Sequence, residues 1–349
     1  MIRIVAAAFA LIGVALTQTL AQTPAVTADQ QYVFIDAEKT TARFLRTIDL
    51  SKVRDELVNA GNKGYGVHFM AGSSSSANLL LSREGTGPRS YRLVTTSREG
   101  AFLSELNEAG SQGFRIVPGT IKALERGSST TWVAVLAPRS DNQRFKYSVV
   151  KGTKDGTEAL AASSKAGRLL VGILGRQGMI AANTLLFFEE IDGDRGASPT
   201  DGERGYRIVA TSRTSALEKD INEAAAGGFR VIGAGFGYMT VVMARAREPS
   251  TAPVEYRVIA MMRVATAIQE LQAAGAQGFR IAAMSENKQE GVFVLHRAPG
   301  TLERFEYQLS PLQWETANQT LLDAEADGYR TYGLFSDLVV LERPLARRP

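Results

Sequence analysis

Nine arginines recur at fixed distances from three tyrosines. Counting from Tyr91, Tyr206 and Tyr256, an arginine stands one, seven and 24 positions further on: Arg92, Arg98 and Arg115; Arg207, Arg213 and Arg230; Arg257, Arg263 and Arg280. A guanidinium is planar, always charged and carries paired N–H donors, so clustered arginines recognise carboxylate or phosphate by bidentate hydrogen bonds. Strand alternation puts Arg207 and Arg213 on the face opposite Tyr206, and Arg230 joins them if the following strand lies alongside. Each triad is thus a candidate anion-binding patch, for an acidic polymer or a protein partner's acidic surface. The competing expectation is structural. Arginine stems would cover the open sheet face while their heads pair with helix carboxylates such as Glu108 or Glu223, each pair contributing about 0–1 kcal/mol.

Other reactive side chains are sparse. The two histidines, His68 in "YGVHFM" and His296 in "FVLHRAP", fall in separate strands and do not recur, so each reads as a packed or rim residue. No HExxH motif occurs, and no histidine–carboxylate group has metal-ligand spacing. Cysteine is absent, which removes disulfides, zinc–thiolate sites, thiol nucleophiles and the lipid-bearing cysteine of a bacterial lipoprotein. "GAGFG" (Gly233 to Gly237) is followed by a strand-like run rather than a helix, so it reads as a hairpin turn and not a nucleotide loop. The four serines of "AGSSSSAN" (71–78) lack a nucleophile-elbow context and read as a polar loop. The acidic stretch 189–203 holds Glu189, Glu190, Asp192, Asp194, Asp201 and Glu203. Calcium takes such oxygens, but the spacing is not that of an EF-hand, and a surface linker is the simpler reading. These readings assign no catalytic residue, metal ligand or cofactor.

The elements that hold these residues follow from self-similarity. "YRLVTTSR", "YRIVATSR" and "YRVIAMMR" open at Tyr91, Tyr206 and Tyr256, and in each copy a "GFR" phenylalanine lies 23 residues on (Phe114, Phe229, Phe279). Weaker copies run from Tyr32 to Tyr65, from Tyr147 to the glycine at Gly167, and from Tyr307 to Tyr329. One glycine recurs in all six: Gly64, Gly113, Gly167, Gly228, Gly278 and Gly328. Alternating β-branched and apolar residues predict a strand, and apolar residues at three- and four-residue spacing (Leu217, Ile221, Ala224) predict a helix. The glycine predicts a positive φ, where a Cβ would cost about 1–2 kcal/mol. A second glycine in three copies (Gly61, Gly110, Gly275) stands where a left-handed helix cap would fall. Two apolar runs then predict a hairpin.

The fold class expected is α+β: six tandem β-α-β-β repeats pairing into about three lobes, each an antiparallel-rich sheet with helices on one face. Polar and proline-bearing segments at 139–144 and 247–254 suggest lobes at 30–140, 145–248 and 254–345. The tyrosine start, Leu-Asn helix end, glycine–aromatic exit and apolar hairpin ending in "MARA", "LHRA" or "LERP" resemble the small bacterial β-α-β-β domains of unknown function. Those usually read Gly-Trp-Glu where this chain has Gly-Phe-Arg. The resemblance implies a fold pattern and no reaction, cofactor or site residue.

The 349 residues, 44% hydrophobic and 22% charged, are ordinary globular composition. A net charge of +4 without a Lys/Arg run does not suggest nucleic-acid binding. Arg3, the apolar run Ile4 to Leu16 and the small-residue site Thr19-Leu20-Ala21 read as an export signal over 1–21, leaving no later transmembrane stretch. The expectation is therefore a periplasmic or secreted, non-enzymatic binding or scaffold protein. Anion recognition by the arginine triads is the first alternative, and an enzyme with a site between lobes is the second.

Overall fold

The computed structural model describes residues 32–36, 50–71, 78–83, 87–126, 129–139, 143–152, 160, 162–163, 165–166, 168–175, 184–191, 205–211, 213–235, 239–245, 254–286, 291–311, 317–335 and 338–345. The export signal, most of the serine run, Gly167 and most of the acidic stretch lie outside the described residues.

The chain is α+β, and its described residues form six small antiparallel sheets in sequence order. Sheet one comprises β1 (Tyr32–Asp36), α1 (Leu50–Asn62), β2 (Tyr65–Ala71) and β3 (Asn78–Arg83). Sheet two follows with β4 (Arg92–Thr96), α2 (Glu99–Ser111), β5 (Phe114–Ile116), β6 (Lys122–Arg126) and β7 (Ser129–Pro138). Sheet three has β8 (Phe145–Gly152), β9 (Leu169–Gly175) and β10 (Thr184–Ile191). Sheet four has β11 (Gly205–Thr211), α3 (Thr214–Ala226), β12 (Phe229–Gly235) and β13 (Met239–Arg245). Sheet five has β14 (Glu255–Met261), α4 (Val264–Ala276), β15 (Arg280–Glu286) and β16 (Gly291–Arg297). Sheet six has β17 (Arg304–Pro311), α5 (Ala317–Ala326), β18 (Arg330–Phe335) and β19 (Leu338–Leu345).

In every sheet the last strand lies in the middle, flanked by the first and the second. In sheets one, two, four, five and six the first strand enters, the helix crosses, the second strand returns at the far edge, and the last folds back between them. The helix exits turn on the recurring glycine: Gly64, Gly113, Gly228, Gly278 and Gly328 have φ between 81° and 86°. Four residues beyond it, the second strand of sheets one, three, four, five and six carries a one-residue register slip, at His68, Val171, Ile232, Ala282 and Tyr332. Sheet two instead breaks there into β5 and β6.

The central strands are apolar on both faces because each is covered from two sides. α2 packs on its own sheet and on β8; α3 packs on its own sheet and on β14; α4 does the same with β17. Successive residues of one central strand therefore serve two cores. Leu185 and Phe187 join Phe102 and Leu106 of α2, while Leu186 and Phe188 join Tyr206 and Val242 of sheet four. Val292 and Val294 face Leu217 and Ile221 of α3, while Phe293 and Leu295 face Leu271 of α4. Each such buried side chain contributes about 1.5–3 kcal/mol. One core joins sheets two and three and another joins sheets four and five, so residues on both sides of the suggested lobe boundaries at 139–144 and 247–254 pack together.

The succession closes on itself. α5 packs against β1, and β18 packs against β2. Leu80, on the face of sheet one turned away from α1, is fully buried, as are Leu321, Val339 and Leu341 of sheet six. An open stack would leave those two terminal faces in water and would cap them with polar residues.

Gly61, Gly110 and Gly275 are not left-handed caps. They lie inside α1, α2 and α4, where a Cβ on Gly110 would stand 2.2 Å from the Phe145 carbonyl oxygen. On Gly275 it would stand 2.3 Å from that of Phe305. These glycines let the next sheet's first strand touch the helix backbone, a contact between sheets that a local sequence window does not reveal.

Candidate functional site

The recurring tyrosines do their work across junctions. The second strand is an edge strand, and its outward N–H and C=O groups need partners. The Tyr147 hydroxyl of sheet three accepts from the Ile116 N–H at 3.0 Å and reaches the Phe114 carbonyl at 3.3 Å. Tyr91 accepts from Val67 (3.1 Å) and donates to the Tyr65 carbonyl (3.0 Å). Tyr307 does likewise with Ile281 and Phe279, both at 3.2 Å. Tyr206 and Tyr256 accept from Leu170 (3.4 Å) and Val231 (3.0 Å).

The helix reinforces the clasp. The Asn107 side-chain amide accepts from the Tyr147 N–H (2.7 Å) and donates to its carbonyl (3.1 Å). Asn222 holds Tyr256 in the same way, both bonds 2.8 Å, and Gln272 donates to the Tyr307 carbonyl. The asparagine side chain imitates a neighbouring strand, which explains the "Leu-Asn" helix ends.

Charge enters at the same place. Directly opposite Tyr147 in the β8–β10 register stands Glu189, and opposite Tyr307 stands Glu342. Both carboxylates are buried, and each meets an arginine of the preceding sheet: Arg115 at 2.8 Å and Arg280 at 2.9 Å. Those guanidiniums also lie over the rings of Phe145 and Phe305, 5.8 and 5.5 Å from the centroids. Burial pushes the Glu189 carboxyl up from its ordinary range, opposed by the Arg115 charge. Burial, then the Glu189 charge, pushes the Tyr147 hydroxyl up, and Tyr307 is raised by burial and Glu342, so both phenols stay protonated. A carboxylate held by a guanidinium and a phenol has its lone pairs engaged and is ill suited to act as a base. In sheet five the equivalent position, opposite Tyr256, is His296. Burial first and the Arg280 charge second hold His296 below its ordinary pKa, with Arg230 acting in the same direction and Glu342 against.

The arginine triads are split between three places. The first set faces the C-terminal end of its own sheet's helix: Arg92 bonds Gln112 (2.7 Å) and Glu108 (3.1 Å), and Arg257 bonds Gln277 (3.2 Å) over the Phe279 ring. Arg207 is half-buried on β11. The third set sits on the second strand at the next junction. Arg115 and Arg280 are in the pairs above, and Arg230 bonds the Phe229 carbonyl at 2.9 Å. The second set, Arg98, Arg213 and Arg263, occupies the N-caps of α2, α3 and α4 with exposed side chains. A 13-residue helix is about 20 Å long, so the first and second sets stand at opposite ends of it. The offset-seven arginine leaves the strand face because the strand has ended and the helix begun. The pairing of Arg92 with Glu108 matches the structural expectation; Glu223 instead meets Lys219 at 3.7 Å.

Sequence reasoning missed Glu189 and Glu342 as partners, because each arginine and its glutamate are 74 and 62 residues apart. Only the tyrosine recurrence hinted at the place. Among the described residues no group of three or more His, Cys, Asp or Glu is placed to hold a metal ion, and no helix is long and apolar enough to cross a membrane. No protein-family model matches this chain, and no curated protein is similar to it by sequence.

Proposed function

We propose that this is an exported, non-enzymatic scaffold or binding protein built from six tandem β-α-β-β units, similar in pattern to the small bacterial domains named above. The observation that supports it most is where the polar chemistry goes. The tyrosine hydroxyls, helix amides and buried glutamates join one sheet to the next. The six-unit reading rests on the common strand order, and the run of contacts favours an unbroken succession over three separate lobes. Repetition of one small surface around a rigid frame suits avidity, in which weak contacts add without any one elaborate site. The test is turnover by the purified protein on a broad panel of ester, phosphoester, glycoside and peptide substrates, compared with Glu189→Gln and Glu342→Gln. No turnover is expected from any of the three. Turnover lost in a folded Glu342→Gln variant would establish an enzyme and overturn the reading.

A second reading, anion recognition, draws on one set of arginines. Arg98, Arg213 and Arg263 are exposed where helices begin, and no ion pair engages them among the described residues. Binding to a sulfated polymer that weakens steeply between low and physiological salt, and is lost on replacing all three with glutamine, is the expected outcome of that reading.

A further inference from the structure

We propose that Arg230 and His296 bind a small carboxylate from solution at the junction between sheets four and five, where the chain's own glutamates fill two sister junctions. Three junctions share one frame. A second-strand amide donates to the opening tyrosine of the next sheet: Ile116 to Tyr147 (3.0 Å), Val231 to Tyr256 (3.0 Å) and Ile281 to Tyr307 (3.2 Å). An arginine directly precedes each of those amides: Arg115, Arg230 and Arg280. Directly opposite the tyrosines stand Glu189, His296 and Glu342. In the first and third of these frames arginine and glutamate meet, at 2.8 and 2.9 Å. In the second the arginine is kept and a histidine stands in the glutamate's place. The remaining junctions differ again. Leu169 and Ala244 replace the pair between sheets three and four, Gly66 takes the arginine's place in sheet one, and Arg330 of sheet six has Ser82 opposite Tyr32.

The exchange of glutamate for histidine changes what the guanidinium does. Arg115 and Arg280 turn Nε to their glutamates, whereas Arg230 turns Nη1 back to the carbonyls of Phe229 (2.9 Å) and Ala225 (3.4 Å). The imidazole stacks on Tyr256, ring centroids 6.3 Å apart, and pairs in register with Arg280 across β15 and β16. β12 packs against β15, which brings Arg230 to the same junction. Arg230 and His296 are both half-buried and so within reach of solvent, at a place distinct from the arginines that begin the helices. Burial first and the Arg280 charge second hold His296 below its ordinary pKa; Arg230 adds to this and Glu342 opposes it. Glu342 is itself held by Arg280 and the Tyr307 hydroxyl. A carboxylate set between imidazolium and guanidinium accepts from both, as Glu189 accepts from Arg115 and Tyr147. It prefers the protonated imidazole, so by linkage it raises the His296 pKa and binds more tightly as pH falls.

NMR titration of the His296 imidazole on the intact protein tests the site, with His68 as internal reference. In sodium acetate, against sodium chloride of equal ionic strength, the His296 midpoint is expected to lie about half a pH unit higher, roughly a threefold gain in proton affinity, while that of His68 stays in place. Equal midpoints in the two salts, or an equal shift of both histidines, overturn the proposal. Arg230→Gln is expected to raise the His296 midpoint in chloride, by removing a repelling charge, and to abolish the difference between the salts. A difference that survives in this variant overturns the role of Arg230. His296→Glu supplies the carboxylate of the sister junctions. It is expected to melt higher than the wild type in chloride at pH 7.5, and to lose the gain that acetate gives the wild type at pH 5.5. A His296→Glu protein that melts no higher, or that keeps that gain, also overturns the proposal.

Discussion

At the scale of single residues, the phenols of Tyr91, Tyr147, Tyr206, Tyr256 and Tyr307 carry a structural duty that phenylalanine cannot perform. Tyr307→Phe removes an acceptor for the Ile281 N–H and a donor to the Phe279 carbonyl and Glu342, leaving buried polar groups unmatched. A loss of about 1–3 kcal/mol is expected, read by denaturant unfolding. The Arg115–Glu189 pair is asymmetric, since the glutamate is 2% exposed and the arginine 34%. Arg115→Leu strands a buried carboxylate and should cost more than Glu189→Gln, which keeps the volume and a hydrogen-bonding head. Equal losses would show that the pair is not a junction lock. Gly228, at φ 85°, is expected to lose about 1–2 kcal/mol or more on replacement by valine, seen as a lower melting temperature. An unchanged melting curve would remove the left-handed explanation.

At the scale of elements, each helix belongs to two sheets. Gly110→Ala places a methyl where α2 meets the Phe145 backbone, and neither neighbour is a flexible side-chain tip. The helix must shift, with a cost of about 1–3 kcal/mol localised to sheets two and three. Acid acts on the junction between sheets four and five through His296, whose neighbours are Tyr256 beside it, Arg280 and Arg230 repelling its proton, and Glu342 attracting it. With its folded pKa below the ordinary value, the unfolded chain takes up a proton first as pH drops under about 6.5. Stability is therefore present above that pH and is lost as pH falls towards the folded pKa. His296→Gln should flatten the fall in melting temperature between pH 7.5 and 5.

At the scale of the molecule, the closed succession of sheets makes stability a property of neighbours rather than of single units. In repeat arrays each member leans on the next, and end faces are the weak points. Here the two end faces cover each other, and deletion of sheet one together with its helix is expected to expose Val339 and Leu341 and to drive aggregation. A soluble, monomeric five-sheet protein would argue that sheet six does not depend on sheet one.

Much of this was present in the order of the residues. Strand, helix and hairpin follow from alternation and three-to-four spacing, because those periods report which side of one local element meets water. The positive-φ glycines were legible for the same reason, since a helix exit is settled within a few residues. What lay beyond reach was every relation between sheets. Gly110 read as a cap because the Phe145 backbone that presses on it is 35 positions away in the chain. The arginines read as triads because the glutamates that hold two of them belong to another sheet. Chain order determined what each piece is; only packing decided which piece answers to which, because contact energies depend on distance in space and are blind to distance along the chain.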